Sequence, residues 1–352
     1  MDKTLIVLDS FEYKEKQHLL EDVVCDFCIP VFVYTQYENR ITERFQRMKY
    51  VGGLFTHMAY WLLSLKYAFS LIKYKNMQSI IFINPIVGIF YAGIARIFHF
   101  KQTLTIAGFL FERKKNHFYY NIRKKMVSFC YRQVKNIVVY GQKEIEFYSK
   151  EFPAFKDNFR FVQFGKDYNY KIKKDFSYPK KYIASGGRSN RNYETLCEAF
   201  SIFRQDIDNY DCLVATRPEC VTPAMEKSSV KFVYGIVLNQ FGAFVKGSDF
   251  FVLPLKNIGL SAGHMAMMEA MSLKVPVIVT DIPAIRDYVD DKHVFFYEAD
   301  NAKSLCEVME LVSKNRNNKI VKNKIDNAFE LYERQFSFKA LLRRIVFVSI
   351  KD

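Results

Sequence analysis

This sequence predicts an α/β protein built from two doubly wound parallel-sheet domains. Three observations predict it. Short apolar runs alternate with helix-length segments along nearly the whole chain, which is the pattern of βαβ units in an open parallel sheet. The length of 352 residues exceeds one ordinary core and suffices for two domains of roughly 150 to 200 residues each. A polar, Lys-rich stretch at residues 166–181, KDYNYKIKKDFSYPKK, interrupts the alternation near mid-chain and reads as a linker. Half of the residues are apolar and 16% are aromatic, so disorder is excluded for most of the chain.

The first apolar run, residues 4–8 within MDKTLIVLDSFEY, is too short for a signal peptide and reads as a buried strand. Residues 31–34, 79–83, 102–106 and 136–139 follow as strands, separated by segments long enough for helices. The longest apolar stretch, residues 51–72, is interrupted by His57, Ser64 and Lys66 and closed by Lys73 and Lys75. It reads as a buried or membrane-facing amphipathic helix and not as a membrane span. After the linker the alternation restarts, with strands expected at residues 181–184, 212–215, 230–233, 250–253 and 275–279 and a last helix at 336–349. The expected division is an N-terminal domain over residues 1–170, a second over 171–335, and a C-terminal helix over 336–352 packing back towards the first. Such a pair would leave a cleft between the carboxyl ends of its sheets, where folds of this class bind ligands.

The formal net charge is +15, and its placement is uneven: residues 1–175 carry +12 and residues 176–352 carry +3. Residues 96–135 hold ten Lys or Arg against one acid, Glu112, with nine aromatic rings interleaved. That composition suits nucleic acid, an anionic bilayer or a phosphorylated substrate, and equally a solvated helix face without a partner. Seven cysteines in a chain without an export signal lead to the expectation of a reduced, cytoplasmic protein. Cys25 and Cys28 form a lone CxxC with no second pair and no clustered His, so they read as core packing, and no metal site is expected.

Two constellations carry chemistry. The strand at 181–184 runs into Ser185, Gly186, Gly187, Arg188, Ser189, Asn190, Arg191 and Asn192 before a helical pattern resumes. Paired glycines allow close backbone approach, and two guanidiniums before a helix N-terminus suit a diphosphate; an ordinary strand-to-helix turn with surface arginines is the alternative. The second constellation spans residues 248–291. A strand ends at Pro254, a loop with Ser261, Gly263 and His264 opens a helix, and Glu269 sits among Met265, Met267, Met268 and Met271. A carboxylate in so apolar a helix is expected to be solvated at a cleft or hydrogen-bonded to a hydroxylated ligand such as a ribose.

Together Gly187, Arg188, Arg191, Asn192, Thr195, Leu196, Ala199, Pro254, Glu269, Ala270, Met271, Lys274, Pro276 and Thr280 resemble, in that order, the donor-binding half of GT-B glycosyltransferases, in particular glycosyltransferase family four of bacterial polysaccharide and glycolipid assembly. The resemblance covers about residues 182–300 and is weaker in the first half, at residues 137–148 and 161–167. It implies two Rossmann-like domains, a nucleotide sugar bound by the second and an acceptor by the first. Arg188 and Arg191 would be the catalytic residues, neutralising the donor diphosphate. Gly186, Gly187, Asn192, Ser261 and the amides near Gly263 and His264 would line the donor site, Glu269 would hold the ribose, and Tyr234, Gly235 and Ile236 the base. UDP is the nucleotide expected from the family, with a metal-independent reaction, retention of configuration and no cofactor. Where the family commonly carries a second Glu, eight positions before Glu269, this chain has Ser261, so the donor sugar does not carry over. His264 reads as a binding or packing residue before an acid–base catalyst.

The acceptor side is less marked. His57, His99, His117, Glu12 and Glu112 are its candidates, and nothing in the sequence ranks them. Arg113, Lys114, Lys115, Arg123, Lys124 and Lys125 are expected to form a membrane or acceptor surface, placing the protein at the inner face of the cell membrane with a glycan or lipid-linked acceptor. A nucleotide-sugar epimerase on the same fold is one alternative. A basic nucleic-acid-binding protein is another; no nucleic acid is expected, because no helix-turn-helix, zinc or RNA-binding motif is present.

Overall fold

The computed structural model describes residues 4–9, 28–35, 52–111, 117–168, 176–236, 238–258 and 260–350. The chain forms two compact units, one of residues 1–162 with 342–352 and one of residues 163–341.

In the first unit the described elements run β1 (Thr4–Asp9), β2 (Cys28–Val33), α1 (Gly52–Ser70), β3 (Ser79–Phe82), α2 (Pro85–Ile97), β4 (Thr103–Ala107), α3 (His117–Cys130), β5 (Val134–Val139), α4 (Gln142–Glu151) and β6 (Phe159–Phe161). They make a six-stranded parallel sheet of order β2-β1-β3-β4-β5-β6. The central strands TLIVLD, SIIF and TLTIA are apolar at successive positions because helices cover both faces of a parallel sheet. Leu5, Ile6, Val7 and Leu8 are fully buried, and only Asp9, at the carboxyl end of β1, reaches partial exposure. Asn84 caps α2, its Oδ1 accepting from the Ile86 and Val87 amides at 3.1 Å, with Pro85 at the first helical position. Much of the aromatic content is core: Phe109 meets Tyr131 and Tyr148 edge-on at 4.9 and 4.8 Å, and Phe152, Phe155 and Phe159 close the cluster. These rings hold β6, a three-residue edge strand too short to show as an apolar run in the sequence.

The second unit repeats the plan with β7 (Lys181–Gly186), α5 (Tyr193–Asp206), β8 (Tyr210–Ala215), β9 (Lys231–Val233), α6 (Leu238–Lys246), β10 (Phe250–Leu253), α7 (His264–Ser272), β11 (Val277–Thr280), β12 (Phe295–Tyr297), α8 (Ala302–Lys314) and α9 (Lys319–Gln335). Its sheet, again six-stranded and parallel, has the order β12-β11-β10-β7-β8-β9. Helices α5 and α8 lie side by side over a core of Leu196, Phe200, Phe203, Leu305 and Met309. β12 is the second edge strand absent from the sequence reading. The last helix, α10 (Phe338–Ile350), begins in the second unit, and from Leu342 onwards belongs to the first.

The stretch read as a linker is anchored where it is described. The Lys166 amide donates to Phe336 O at 2.8 Å, the Tyr168 amide to the Tyr332 hydroxyl at 2.9 Å, and Asp167 accepts from the Phe338 amide at 2.9 Å. Among the described residues no helix is long and apolar enough to cross a membrane.

Candidate active site

In the second unit the chain leaves β7 towards β8 on one side and β10 towards β11 on the other, so the crevice between the carboxyl ends of β7 and β10 is a topological switch point. Both sequence constellations end there. After β7 the backbone takes positive φ at Gly187 (116°) and Asn190 (59°) before α5 starts. A Cβ at Gly187 would stand 2.4 Å from Arg191 Nη2, so this position requires glycine both for its backbone and for the guanidinium beside it. The Gly187 carbonyl accepts from the Tyr193 hydroxyl at 2.8 Å and from Thr216 Oγ1 at 2.7 Å. Asn192 caps α5, accepting from the Thr195 amide at 3.3 Å, while its Nδ2 donates to Asp300.

This turn is clamped to the end of β10. Arg191 and Leu255 form a β-bridge, the Asn192 amide donates to Pro254 O at 3.0 Å, and the Lys256 amide donates to Asn190 O at 3.0 Å. The Leu255 amide in turn donates to Thr280 Oγ1 at 2.7 Å. Gly263, at φ 79°, precedes α7, and a Cβ there would meet the Leu253 and Leu255 methyls at 3.0 Å. The arginine turn and the N-terminus of α7 are therefore packed on the same residue, Leu255. Two devices that favour anions, a pair of guanidiniums and a helix N-terminus, converge at one sheet edge.

The arginines differ. Arg188 is exposed, its backbone carbonyl facing the Cys220 thiol. Arg191 folds back on its own turn, Nε donating to Gly186 O at 2.9 Å and Nη1 to Ser189 O at 2.6 Å. Burial lowers its pKa, opposed by the neighbouring Tyr193. Part of its hydrogen bonding thus shapes the turn, a difference between the two arginines that the sequence left open.

His264 is buried. Its Nε2 lies 2.9 Å from the Ala284 carbonyl, which only accepts, so Nε2 carries the proton; the ring stacks on Tyr288 at 4.0 Å. Burial first, and the positive charge of Arg191, lower its pKa to about 4, so the ring is neutral at pH 7. This is a packing role for the side chain. Glu269 is also buried, at 6% exposure, where the sequence reading offered a solvated carboxylate as one outcome. It sits on the side of α7 that packs on α9, close enough for its charge to raise the Tyr332 pKa. Tyr234 and Gly235 form an exposed turn after β9, with Gly235 at φ 81° and Ile236 half-buried beside it; Ser261 is half-buried in the loop before α7.

With this geometry in place, residues 179–315 match the family described as glycosyl transferases group 1. The chain has the GT-B fold and carries a glycosyl transferases group 1 domain in its second unit. The enzyme's fold is similar to a glycosyltransferase from Rickettsia africae (14% identity, TM-score 0.64, 99% of this chain and 98% of that one). It is likewise similar to HepE from Anabaena, solved in complex with UDP-glucose (10%, 0.61, 99% of each chain), and to sucrose-phosphate synthase from Thermosynechococcus elongatus (11%, 0.63, 100% and 99%). No curated protein sequence matches the enzyme.

The basic surface expected in the first unit is only partly uncompensated. Arg113, Lys114, Lys115, Glu12 and Glu112 lie outside the described residues, as does the His57 side chain. Lys124 is paired with Glu151 at 2.6 Å, and Arg123 lies 4.8 Å over the Phe111 ring. Lys125 and Arg132 are exposed; with Arg96, whose guanidinium covers the Phe129 ring at 4.3 Å, and with Lys124 they line a cavity of about 500 Å³ between α2 and α3. Phe118, Ile122 and Phe129 stand exposed along the same helix, and Ile97 and Phe98 at the end of α2. His99 and His117 are exposed on this unit without joining the cavity.

Proposed function

We propose that this glycosyltransferase moves a sugar from a UDP-sugar to a lipid-linked or growing polysaccharide acceptor at the cytoplasmic face of the membrane, with retention and without a metal ion. The convergence of the arginine turn and the α7 N-terminus on Leu255 carries the donor half of this reading. Arg188 and Arg191 neutralise the diphosphate and the charge developing on the departing nucleotide. Electrostatic stabilisation of this kind is worth a few kcal/mol of barrier. Asn192 and the glycines keep the turn in shape, Glu269 serves the ribose, and Tyr234 to Ile236 the base. UDP is supported by HepE, whose structures hold UDP-glucose and UDP. The membrane half rests on the cavity of Arg96, Lys125 and Arg132 beside exposed Phe118 and Ile122, a combination of charge and apolar side chains that suits an anionic lipid surface.

A binding and hydrolysis screen across UDP-, GDP- and ADP-sugars tests the donor half. Binding confined to UDP-sugars and weakened by Arg188→Ala or Glu269→Ala is expected. No binding to any of them, or binding unaffected by both substitutions, would overturn it.

A further inference from the structure

The turn after β7 is tied down from several sides. Asn192 caps α5, the Asn190 carbonyl and the Asn192 amide clamp the turn to the end of β10, and Arg191 bonds back to Gly186 O and Ser189 O. Beyond these, two buried hydroxyls meet at one carbonyl. The Tyr193 phenol, at the first position of α5, donates to Gly187 O at 2.8 Å, and Thr216 Oγ1, just past β8, donates to the same oxygen at 2.7 Å. Burial pushes the Tyr193 pKa up to about 12, so the phenol keeps its proton and remains a donor at neutral pH. Both acceptor positions of the Gly187 carbonyl are thereby filled.

A trans peptide is planar, so the N–H of Arg188 points opposite to the C=O of Gly187. Thr216 and Tyr193 hold that carbonyl on the β8 side of β7, and the Arg188 N–H therefore faces away from β8, on the side of the crevice beside β10. The Arg188 carbonyl is turned the same way, 3.8 Å from the Cys220 thiol in the loop after β8, which sends the Ser189 N–H to the crevice side as well. Among the described residues neither amide has an acceptor. A glycine lets the peptide that follows it rotate at little cost, so the two hydroxyls, and not the backbone, choose this orientation. We infer that Tyr193 and Thr216 are positioning residues for the donor diphosphate, holding the Gly187–Arg188 peptide so that the Arg188 N–H donates to a phosphate oxygen alongside the guanidiniums. A donor fixed before the ligand arrives needs no reorganisation as charge develops on the leaving phosphate. The inference rests on the donor reading above for its ligand; Tyr193 and Thr216 have no part in that reading.

Ligand-detected NMR titrations of the full-length protein with UDP and with uridine test it, because only UDP carries the phosphates that the amide would meet. In the double variant Tyr193→Phe with Thr216→Val, UDP binding should weaken about tenfold, the loss expected for a hydrogen bond to a charged group, while uridine binding stays unchanged. Thr216→Ser, which keeps the hydroxyl, should bind UDP as the wild type does. Unchanged UDP affinity in the double variant would overturn the inference, and so would an equal weakening of UDP and uridine, the mark of a turn that has merely lost its shape. If the double variant does not melt cooperatively, the single variants decide: weaker UDP binding in Thr216→Val but not in Thr216→Ser supports the inference, and equal UDP affinity in the two overturns it. Failure of the wild type to bind UDP would count against the donor reading instead.

Discussion

At the scale of single residues, the two arginines of the β7 turn are separable although they are three positions apart. Arg188 is exposed, whereas Arg191 donates to Gly186 O and Ser189 O. Replacing either by alanine should lower turnover on the order of 100-fold if both stabilise the leaving diphosphate. Only Arg191→Ala should also lower stability, by about 1 kcal/mol for the lost hydrogen bonds, in urea denaturation. Equal stability loss in both variants would show that the turn does not depend on Arg191. His264 provides a pH signature. Its folded pKa of about 4 lies below the ordinary value of 6.5, so the unfolded chain binds the extra proton first as pH falls. The stabilisation is fully present above pH 6.5 and is lost as pH falls towards 4, by roughly 3 kcal/mol in all. His264→Gln should flatten that limb of the stability curve; a wild-type curve without slope between these values would refute the neutral, buried imidazole.

At the scale of elements, α7 and α3 make different demands. The N-terminus of α7 depends on Gly263, because any side chain there would have to adopt φ 79° with a Cβ 3.0 Å from two leucine methyls. Gly263→Ala should destabilise the protein by about 1–3 kcal/mol, read from denaturation midpoints, and weaken UDP-sugar binding as the helix end shifts. Along α3 the charges are unequal. Lys124 is neutralised by Glu151, whereas Lys125 and Arg132 are exposed beside Phe118, Ile122 and Phe129. Reversing Lys125 and Arg132 to Glu should weaken sedimentation with phosphatidylglycerol vesicles on the order of tenfold or more, at about 1 kcal/mol per basic residue near an anionic surface. Lys124→Glu should do less. Unchanged sedimentation in the double variant would leave this surface as an ordinary solvated face.

At the scale of the whole molecule, the last helix ties its final turns to the unit that begins the chain. Leu342, Ile345 and Val346 are buried in the first unit's share of α10. Truncation after Leu341 should destabilise that unit by several kcal/mol, given roughly 1.5–3 kcal/mol for each buried aliphatic side chain. Hydrogen exchange in β1 to β5 would report it, and unchanged protection there would exclude the contribution. The recurrence of one sheet topology in both units also places polar groups at matching switch points, cationic in the second and carboxylate-centred in the first.

The alternation of strands and helices, the glycine and arginine turn after β7, and the apolar helix that carries Glu269 are legible in the residues alone. These are local properties, set by the period of apolar residues and by the few positions that accept positive φ. Two three-residue edge strands, β6 and β12, escaped the sequence reading, whereas β9, equally short, did not, so pairing with a neighbouring strand and not an apolar period defines them. Which strands are neighbours, and with that where the switch points lie, follows from long-range pairing in the folded chain. Folding turned Arg191 back onto its own loop and buried His264 and Glu269, which the pattern of residues left open. It also joined Asp9 to Thr35 and Asn84, 26 and 75 positions away, through side-chain hydrogen bonds. Asp9 follows four apolar residues and Asn84 precedes Pro85, and nothing local brings their side chains to one oxygen. Parallel strands can pair only after a long crossover, so a site built on their carboxyl ends comes into being when the sheet closes and not before.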